Sequence, residues 1–302
     1  MPQVFRHACH AMGTRFELVL AHEDGAHARA AAEAAAEEVL RLHALWSPFD
    51  PASAVAHLNR EATTRAVRAD HDTFALLSFC KAVHAQSNGA FDITLGHLMH
   101  AHGWRTPPLP EEGAVAERSS PASSPSLPAF GSHHLHLDAA TQSVFFSAPI
   151  SLDLGAVAKG WALDAAAGIL REAGITSALL HAGTSSVLAI GAQPDTAPWR
   201  IQLSPQAGSP AVTLRDNALS ISAPHGRVTT DTPGALPTNL SHTLDPRTGL
   251  PTAPLLHAAT IAPTAALADA WSTALLVLGH LPPAAAGITA IVQSREGPWH
   301  RM

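Results

Sequence analysis

Apolar and polar positions divide this chain into segments of two kinds. Over 12–20 (MGTRFELVL) they alternate as in a half-buried strand, whereas 27–45 is rich in alanine and carries an apolar stripe only in its later part, at Val39, Leu42, Leu45 and Trp46. Ser47-Pro48 ends that helix, because proline lacks an N–H and disfavours helical backbone in the residue before it. A second helix is predicted over 72–86 and stops at Asn88-Gly89, a helix-end and turn signal. Later the runs shorten: strands are predicted at 135–137, 143–146, 150–154, 177–181, 187–190, 199–203, 211–214, 218–221 and 256–262. One helix is predicted after Gly155 and another over 265–279. Helices set among many short strands, without strict alternation, predict an α+β fold whose mostly antiparallel sheets are flanked by helices.

Between these parts, 105–132 (RTPPLPEEGAVAERSSPASSPSLPAFGS) is rich in proline and serine and poor in large apolar residues, so it cannot build much core. It reads as a surface insertion within a single domain spanning 1–302. No stretch reaches the roughly 18 uninterrupted apolar residues of a membrane span.

Composition narrows the function classes. With 18 basic and 24 acidic residues the formal charge is −6, which gives no basic face to follow a nucleic-acid backbone. The 20 histidines are scattered, and H-E-x-x-H is absent. Cys9 and Cys80 are too few for a disulfide framework; they read as two idle thiols, with a single bridge between them left open. The N-terminus lacks an apolar core followed by a small-residue cleavage site, and Cys9 has no lipoprotein leader upstream, so the protein as written is expected in the cytoplasm.

Four stretches carry candidate chemistry. In SLDLGAVAKGWALD (151–164), a strand running into Gly155 would present the amides of 155–158 at a helix start, where unpaired N–H groups and the helix dipole favour an anion. Lys159 adds a full positive charge there. No G-x-x-x-x-G-K-[ST] is present, which argues against an ordinary nucleotide loop. In ALADAWSTALLVLG (266–279), Asp269 and Thr273 share a helix face, and such hard oxygen donors suit Mg²⁺ with substrate phosphates completing its shell. The plainer alternative has Asp269 facing water and Thr273 bonded back to a carbonyl one turn earlier. NLSHTLDPRTGLP (239–251) contains a proline turn, and His242 upstream of it is a candidate general base. In SNGAFDITLGHL (87–98), Phe91 and Asp92 could stack on and bond to a heteroaromatic ligand, or be core and cap.

Taken together and in this order, the stretches resemble the ApbE family, the FAD:protein FMN transferases. Met12-Gly13-Thr14, WSPFD at 46–50, Leu58-Asn59-Arg60, GAFDITLG, DLGAVAKGWALD, HTLDPRTG and ADAWSTALLVLG carry the resemblance over nearly the whole chain. It implies a compact ApbE/T-fold-like α+β architecture that takes FAD as substrate and Mg²⁺ as cofactor. It also implies transfer of FMN to a Thr or Ser hydroxyl of an acceptor protein, with release of AMP. Carried over residue by residue, the metal would rest on the carbonyl of Ala156 and the side chains of Asp269 and Thr273. FAD would meet Met12, the Ala90-Phe91-Asp92 turn, Asp153, Lys159 and Thr243, with Lys159 and His242 as catalytic groups. The chain departs from the family pattern at HAGTSS, where Thr184 stands at a customary glycine and Ser185 at a customary acid, and at Ser222-Ala223, where Ser-Gly is usual. Two other functions fit the same residues: an FAD pyrophosphatase, with water as the attacking group, and an FAD-binding protein without turnover.

Overall fold

The computed structural model describes residues 2–102, 104, 129–206, 208–224, 243–251, 255–294 and 297–302. The chain begins with a hairpin of β1 (Gln3–Ala11) and β2 (Thr14–His22), followed by α1 (Gly25–Trp46), α2 (Ala54–Glu61), the short β3 (Val67–Arg68), α3 (His71–Gln86) and α4 (Gly96–Ala101). Then come β4 (Leu135–Asp138), β5 (Ser143–Phe146), α5 (Ala158–Glu172), β6 (Ala178–Ala182), β7 (Ser186–Ile190), β8 (Trp199–Gln202), β9 (Ala211–Leu214) and β10 (Ala218–Ser222). The last part holds β11 (Leu244–Asp245), β12 (Leu250–Pro251), β13 (His257–Ala262), α6 (Ala265–Leu278), β14 (Thr289–Gln293) and β15 (Trp299–Arg301).

Eight strands form one sheet in the order β1-β2-β6-β7-β10-β13-β14-β15, and every pairing in it is antiparallel. Because side chains alternate between faces, each strand serves two cores. Helices α1, α5 and α6 cover one face, where Leu18, Leu180, Leu188 and Ala218 are buried with Ala32, Val39, Leu163 and Ala166. The β8–β9 hairpin belongs to the other, where Leu203 and Leu214 pack with Leu179, Val187, Leu219 and Ile261. A second sheet, β3-β5-β4, completes the α+β arrangement with α2 and α3. The Trp46 indole donates to Thr73 Oγ1 at 3.0 Å, tying α1 to α3.

Two expectations need correction. The strand predicted from Met12 begins at Thr14, because Met12 and Gly13 form the two-residue turn of the first hairpin. The helix predicted after Gly155 is present as α5, from Ala158. Residues 150–154 make no strand beyond one parallel bridge between Leu95 and Ser151; the Asn59 side chain instead takes both Leu152 N–H (2.8 Å) and Leu152 C=O (3.3 Å). Most of the predicted insertion, 105–128, lies outside the described residues, while Gly131 and Ser132 are held at 2.7 and 2.9 Å by Thr94 and Asp92. Cys9 and Cys80 are both free thiols. No described helix is long and apolar enough to cross a membrane.

Candidate active site

Asp269 sits in the first half of α6, 3% exposed, among mostly buried apolar side chains. An ionisable group buried there needs partners for both oxygens. Oδ1 accepts from the Ser186 hydroxyl at 2.7 Å, and Oδ2 accepts from the Gly160 N–H at 2.7 Å. Of the two sequence alternatives, water-facing Asp269 is therefore wrong. The back-bonded Thr273 is right: its Oγ1 donates to the Asp269 carbonyl at 3.3 Å.

The Gly160 bond has a consequence one turn earlier. In a regular helix this N–H would close on the carbonyl of Ala156. It is spent on Asp269 instead, so regular α5 hydrogen bonding starts only at Ala158 and the Ala156 carbonyl loses its usual helical partner. The bond is possible because α5 and α6 touch at backbone level. A Cβ on residue 160 would fall on the Ala265 carbonyl, so only glycine fits. Asp164 fastens the same crossing, its two oxygens accepting from Ala265 N–H and Ala266 N–H at 2.8 Å each, as a cap for α6. Burial pushes the Asp164 carboxyl up to about 6; the two amides oppose the shift and the charge of Asp269 adds to it.

The predicted anion cradle is largely consumed locally. Gly155 N–H goes to Asp153 Oδ1 (2.8 Å), while Val157 N–H and Ala158 N–H go to the Leu154 carbonyl at 3.0 and 2.9 Å. Lys159 Nζ folds back to the Gly155 carbonyl at 3.3 Å. What this stretch offers a ligand is the ammonium and the freed carbonyl rather than a row of amides.

The GAFDITLG segment lies directly against it, Asp153 N–H donating to the Ile93 carbonyl at 2.7 Å and Gly96 N–H to the Ser151 carbonyl at 2.9 Å. Ala90 and Phe91 are both fully buried, so the Phe91 ring is core, not a stacking surface. Asp92, its side chain 1% exposed, is likewise spent on the protein. Oδ1 accepts from Thr94 N–H and Thr94 Oγ1 at 2.8 and 2.7 Å, and Oδ2 accepts from Ser132 N–H at 2.9 Å, with His84 Nδ1 at 3.2 Å. Burial pushes the Asp92 carboxyl up, but the hydrogen bonds of His84 and Thr94 outweigh it and its pKa falls below the usual value. The Asp92 bond conversely holds His84 above an ordinary histidine.

Two turns complete the surroundings. Met12 has φ +50°, and the adjacent Thr14 lies against Gly183 in the β6–β7 turn, three residues before Ser186. Thr243, half-buried, leads into the β11–β12 hairpin, where Arg247 grips Asp245 at 2.8 and 2.6 Å. The other end of that hairpin packs Gly249 against Phe130 and Leu98. His242 lies outside the described residues. Ala156, Lys159, Asp269 and Thr273 thus gather at the α5–α6 crossing, joined through 151–153 to the 90–96 turn.

Sequence reasoning missed Ser186, Asp164 and His84. Asp164 and Ser186 stood inside quoted stretches, at the ends of SLDLGAVAKGWALD and HAGTSS, without being singled out; His84 stood in none. The signal for Ser186 was a serine at a helix-facing position of an otherwise apolar strand.

This architecture is similar to that of solved ApbE structures. The ApbE protein of Thermotoga maritima superposes with a TM-score of 0.80 at 25% identity, covering 99% of this chain and 97% of that one. The flavinyl transferase ApbE of Pseudomonas stutzeri gives 0.79 at 24%, covering 100% and 94%. The chain belongs to the ApbE family, whose model matches residues 12–291, and that membership makes it a transferase. A Klebsiella pneumoniae protein named FAD:protein FMN transferase is 28% identical over 280 residues, 89% of this chain and 77% of its own length. A Rhodobacter capsulatus protein of the same name is 30% identical over 278 residues, of whose length this chain spans 51%.

Proposed function

We propose that this protein transfers FMN from FAD to a Thr or Ser hydroxyl of an acceptor protein, releasing AMP, with Mg²⁺ as cofactor. The observation that carries the reading is the Gly160 to Asp269 bond. It fixes a buried carboxylate and, in the same stroke, releases the Ala156 carbonyl beside it.

The residues present fit the cation. Asp269 keeps lone pairs beyond the two it shares with Ser186 and Gly160, the Thr273 hydroxyl donates once and retains its acceptor capacity, and Ala156 offers a carbonyl. One carboxylate, one hydroxyl and one carbonyl make a hard oxygen set with vacancies for phosphate oxygens, as Mg²⁺ requires. Among the described residues no three His, Cys, Asp or Glu side chains gather in a metal-sized group, so the ion would rest on this mixed set alone. When bound, Mg²⁺ supplies charge neutralisation to a pyrophosphate.

In the proposed reaction the acceptor hydroxyl oxygen forms a bond to the FMN phosphorus. The bridging P–O bond breaks, and AMP leaves with its electron pair. In this reading the Lys159 ammonium, on the exposed side of the crossing, stabilises that negative charge, and His242 takes the hydroxyl proton. Few covalent players are needed, since phosphoryl-type transfer depends chiefly on positioning and charge.

The test follows AMP release from FAD, with Mg²⁺ or with EDTA, and with or without an acceptor carrying a Thr-containing flavinylation motif whose mass is read in the same tube. Mg²⁺-dependent AMP together with an FMN-sized mass gain is the expected result, and Asp269→Ala should abolish both. AMP without the mass gain would instead make the protein a pyrophosphatase, FAD bound but unconverted would make it a binding protein, and undiminished transfer by Asp269→Ala would remove the metal assignment.

A further inference from the structure

The turn between β1 and β2 breaks a local rule. Ala11 pairs with Thr14, so Met12 and Gly13 form the whole loop, and both have positive φ, +50° and +69°. Two-residue hairpin loops of this kind favour Asn-Gly, because a side chain at the first position crowds the backbone unless it is small and polar. Methionine supplies neither advantage. Strain of this sort persists only where the surroundings over-determine it, and it concentrates where a protein presents backbone to a ligand.

Two contacts over-determine this turn. On one side the Thr14 hydroxyl occupies the space where a Cβ of Gly183 would stand, and Gly183 N–H donates to the Arg15 carbonyl at 2.8 Å, locking the turn to the β6–β7 loop that leads into Ser185 and Ser186. On the other, Met12 N–H donates to Nδ1 of His43 at 3.2 Å across 31 residues of chain. A backbone N–H can only donate, so Nδ1 is unprotonated and the ring's proton sits on Nε2. His43 follows Leu42 at the edge of the buried face of α1, half-buried in the last turn of that helix.

We propose that His43 is a positioning residue for the flavin nucleotide: by accepting from Met12 N–H it holds the strained Met12-Gly13 turn in the shape that meets FAD at the Ser185-Ser186-Asp269 end of the sheet. This rests on the flavin reading above. His43 touches no reacting atom, so its loss is felt in binding and not in the chemical step. The backbone of residue 12 is what it controls, and any residue able to accept at the same place serves.

The experiment measures the FAD dissociation constant of the full-length protein in EDTA, where nothing turns over, by quenching of flavin fluorescence. It also measures the kcat and KM for FAD in the Mg²⁺ transfer assay. His43→Ala should weaken FAD binding and raise KM by roughly three- to tenfold, the worth of one hydrogen bond, at unchanged kcat. His43→Gln, whose Oε1 can accept from the same N–H, should restore both. Wild-type binding by His43→Ala, a defect that Gln leaves as large as Ala does, or a fall in kcat at unchanged KM would each overturn the proposal while leaving the flavin reading standing. A wild-type protein that binds no FAD would remove that reading and the proposal with it.

Discussion

Two rows of side chains cross the helix-facing side of the large sheet, two residues apart along each strand. The first runs Leu18, Leu180, Leu188, Ala218, Ala262, and the second Phe16, Ala182, Ser186, Ser220, Thr260. Every member of both is 3% exposed or less. Burial therefore does not distinguish them; chemistry does. The apolar row needs only close packing, whereas the hydroxyls must find partners in a place without water. All three find them on α6: Ser186 on Asp269, Ser220 on the Ser272 hydroxyl at 3.1 Å, Thr260 on the Ala268 carbonyl at 2.7 Å. A core row tolerates any arrangement that fills volume, while the hydroxyl row fixes α6 in rotation and height. That is what the proposed role of Asp269 as a metal ligand requires of its helix.

Truncation in the first row should cost the most stability. Leu180→Ala, at a fully buried position, should destabilise the protein by about 4 kcal/mol in urea unfolding, from lost transfer energy plus the cavity. Its kcat should be nearly unchanged at a temperature where the variant remains folded. A large fall in kcat would mean that the apolar row is part of the site and would erase the distinction.

Next in size is a pH effect at the crossing above the hydroxyl row. Asp164 is pushed by burial up to about 6, against about 4 in the unfolded chain. Between those values the folded state holds a proton that the unfolded state has released, so this group's contribution falls as pH rises from about 4 to 6, by about 3 kcal/mol in all. Asp164→Asn should be less stable overall, through a poorer cap on α6, but should lose that downward slope. A slope that survives the substitution would place its origin elsewhere.

Ser186→Ala should cost about 2 kcal/mol, leaving one oxygen of a buried carboxylate without its donor. Here the comparison is sharpest, because a smaller stability loss than that of Leu180→Ala should bring a larger loss of transfer. The proposed Mg²⁺ dependence should shift to higher concentration as Asp269 loses its fixed orientation. Unaltered Mg²⁺ dependence would reduce Ser186 to a structural partner.

The two rows were not equally legible. Alternation and stripe length located α1, α3, α6 and β6 through β10, because these elements carry enough apolar residues for a period to register. β1 was missed: its sequence, QVFRHACHA, stands at a sheet edge with exposure along most of its length, and little apolar pattern is asked of it. The predicted strand over 150–154 failed for a different reason. Its apolar residues are buried, but the backbone of Leu152 bonds to the Asn59 side chain, a partner that no local pattern announces. In the site, Asp269 and Thr273 stood out as polar residues in an apolar helix. Ser186 did not, since a serine in a short strand is unremarkable until the strand across from it and the helix above it are known. The turn at Met12 was hidden by the absence of any turn residue before Gly13.

The smallest effect lies just beside the hydroxyl row. Ser222 is also on β10 and bonds the same Ser272 hydroxyl at 2.8 Å, but it is only half-buried, two residues beyond Ser220 along the strand. Ser272 donates to the Asp269 carbonyl at 2.9 Å, so it accepts from both serines. Removing the outer donor leaves the inner one in place, and water can replace what is lost. Ser222→Ala should therefore cost under about 0.5 kcal/mol in unfolding, against about 1 kcal/mol or more for Ser220→Ala. Equal costs would mean that water does not reach Ser222 and that the dry interior extends two residues further along β10 than its exposure indicates.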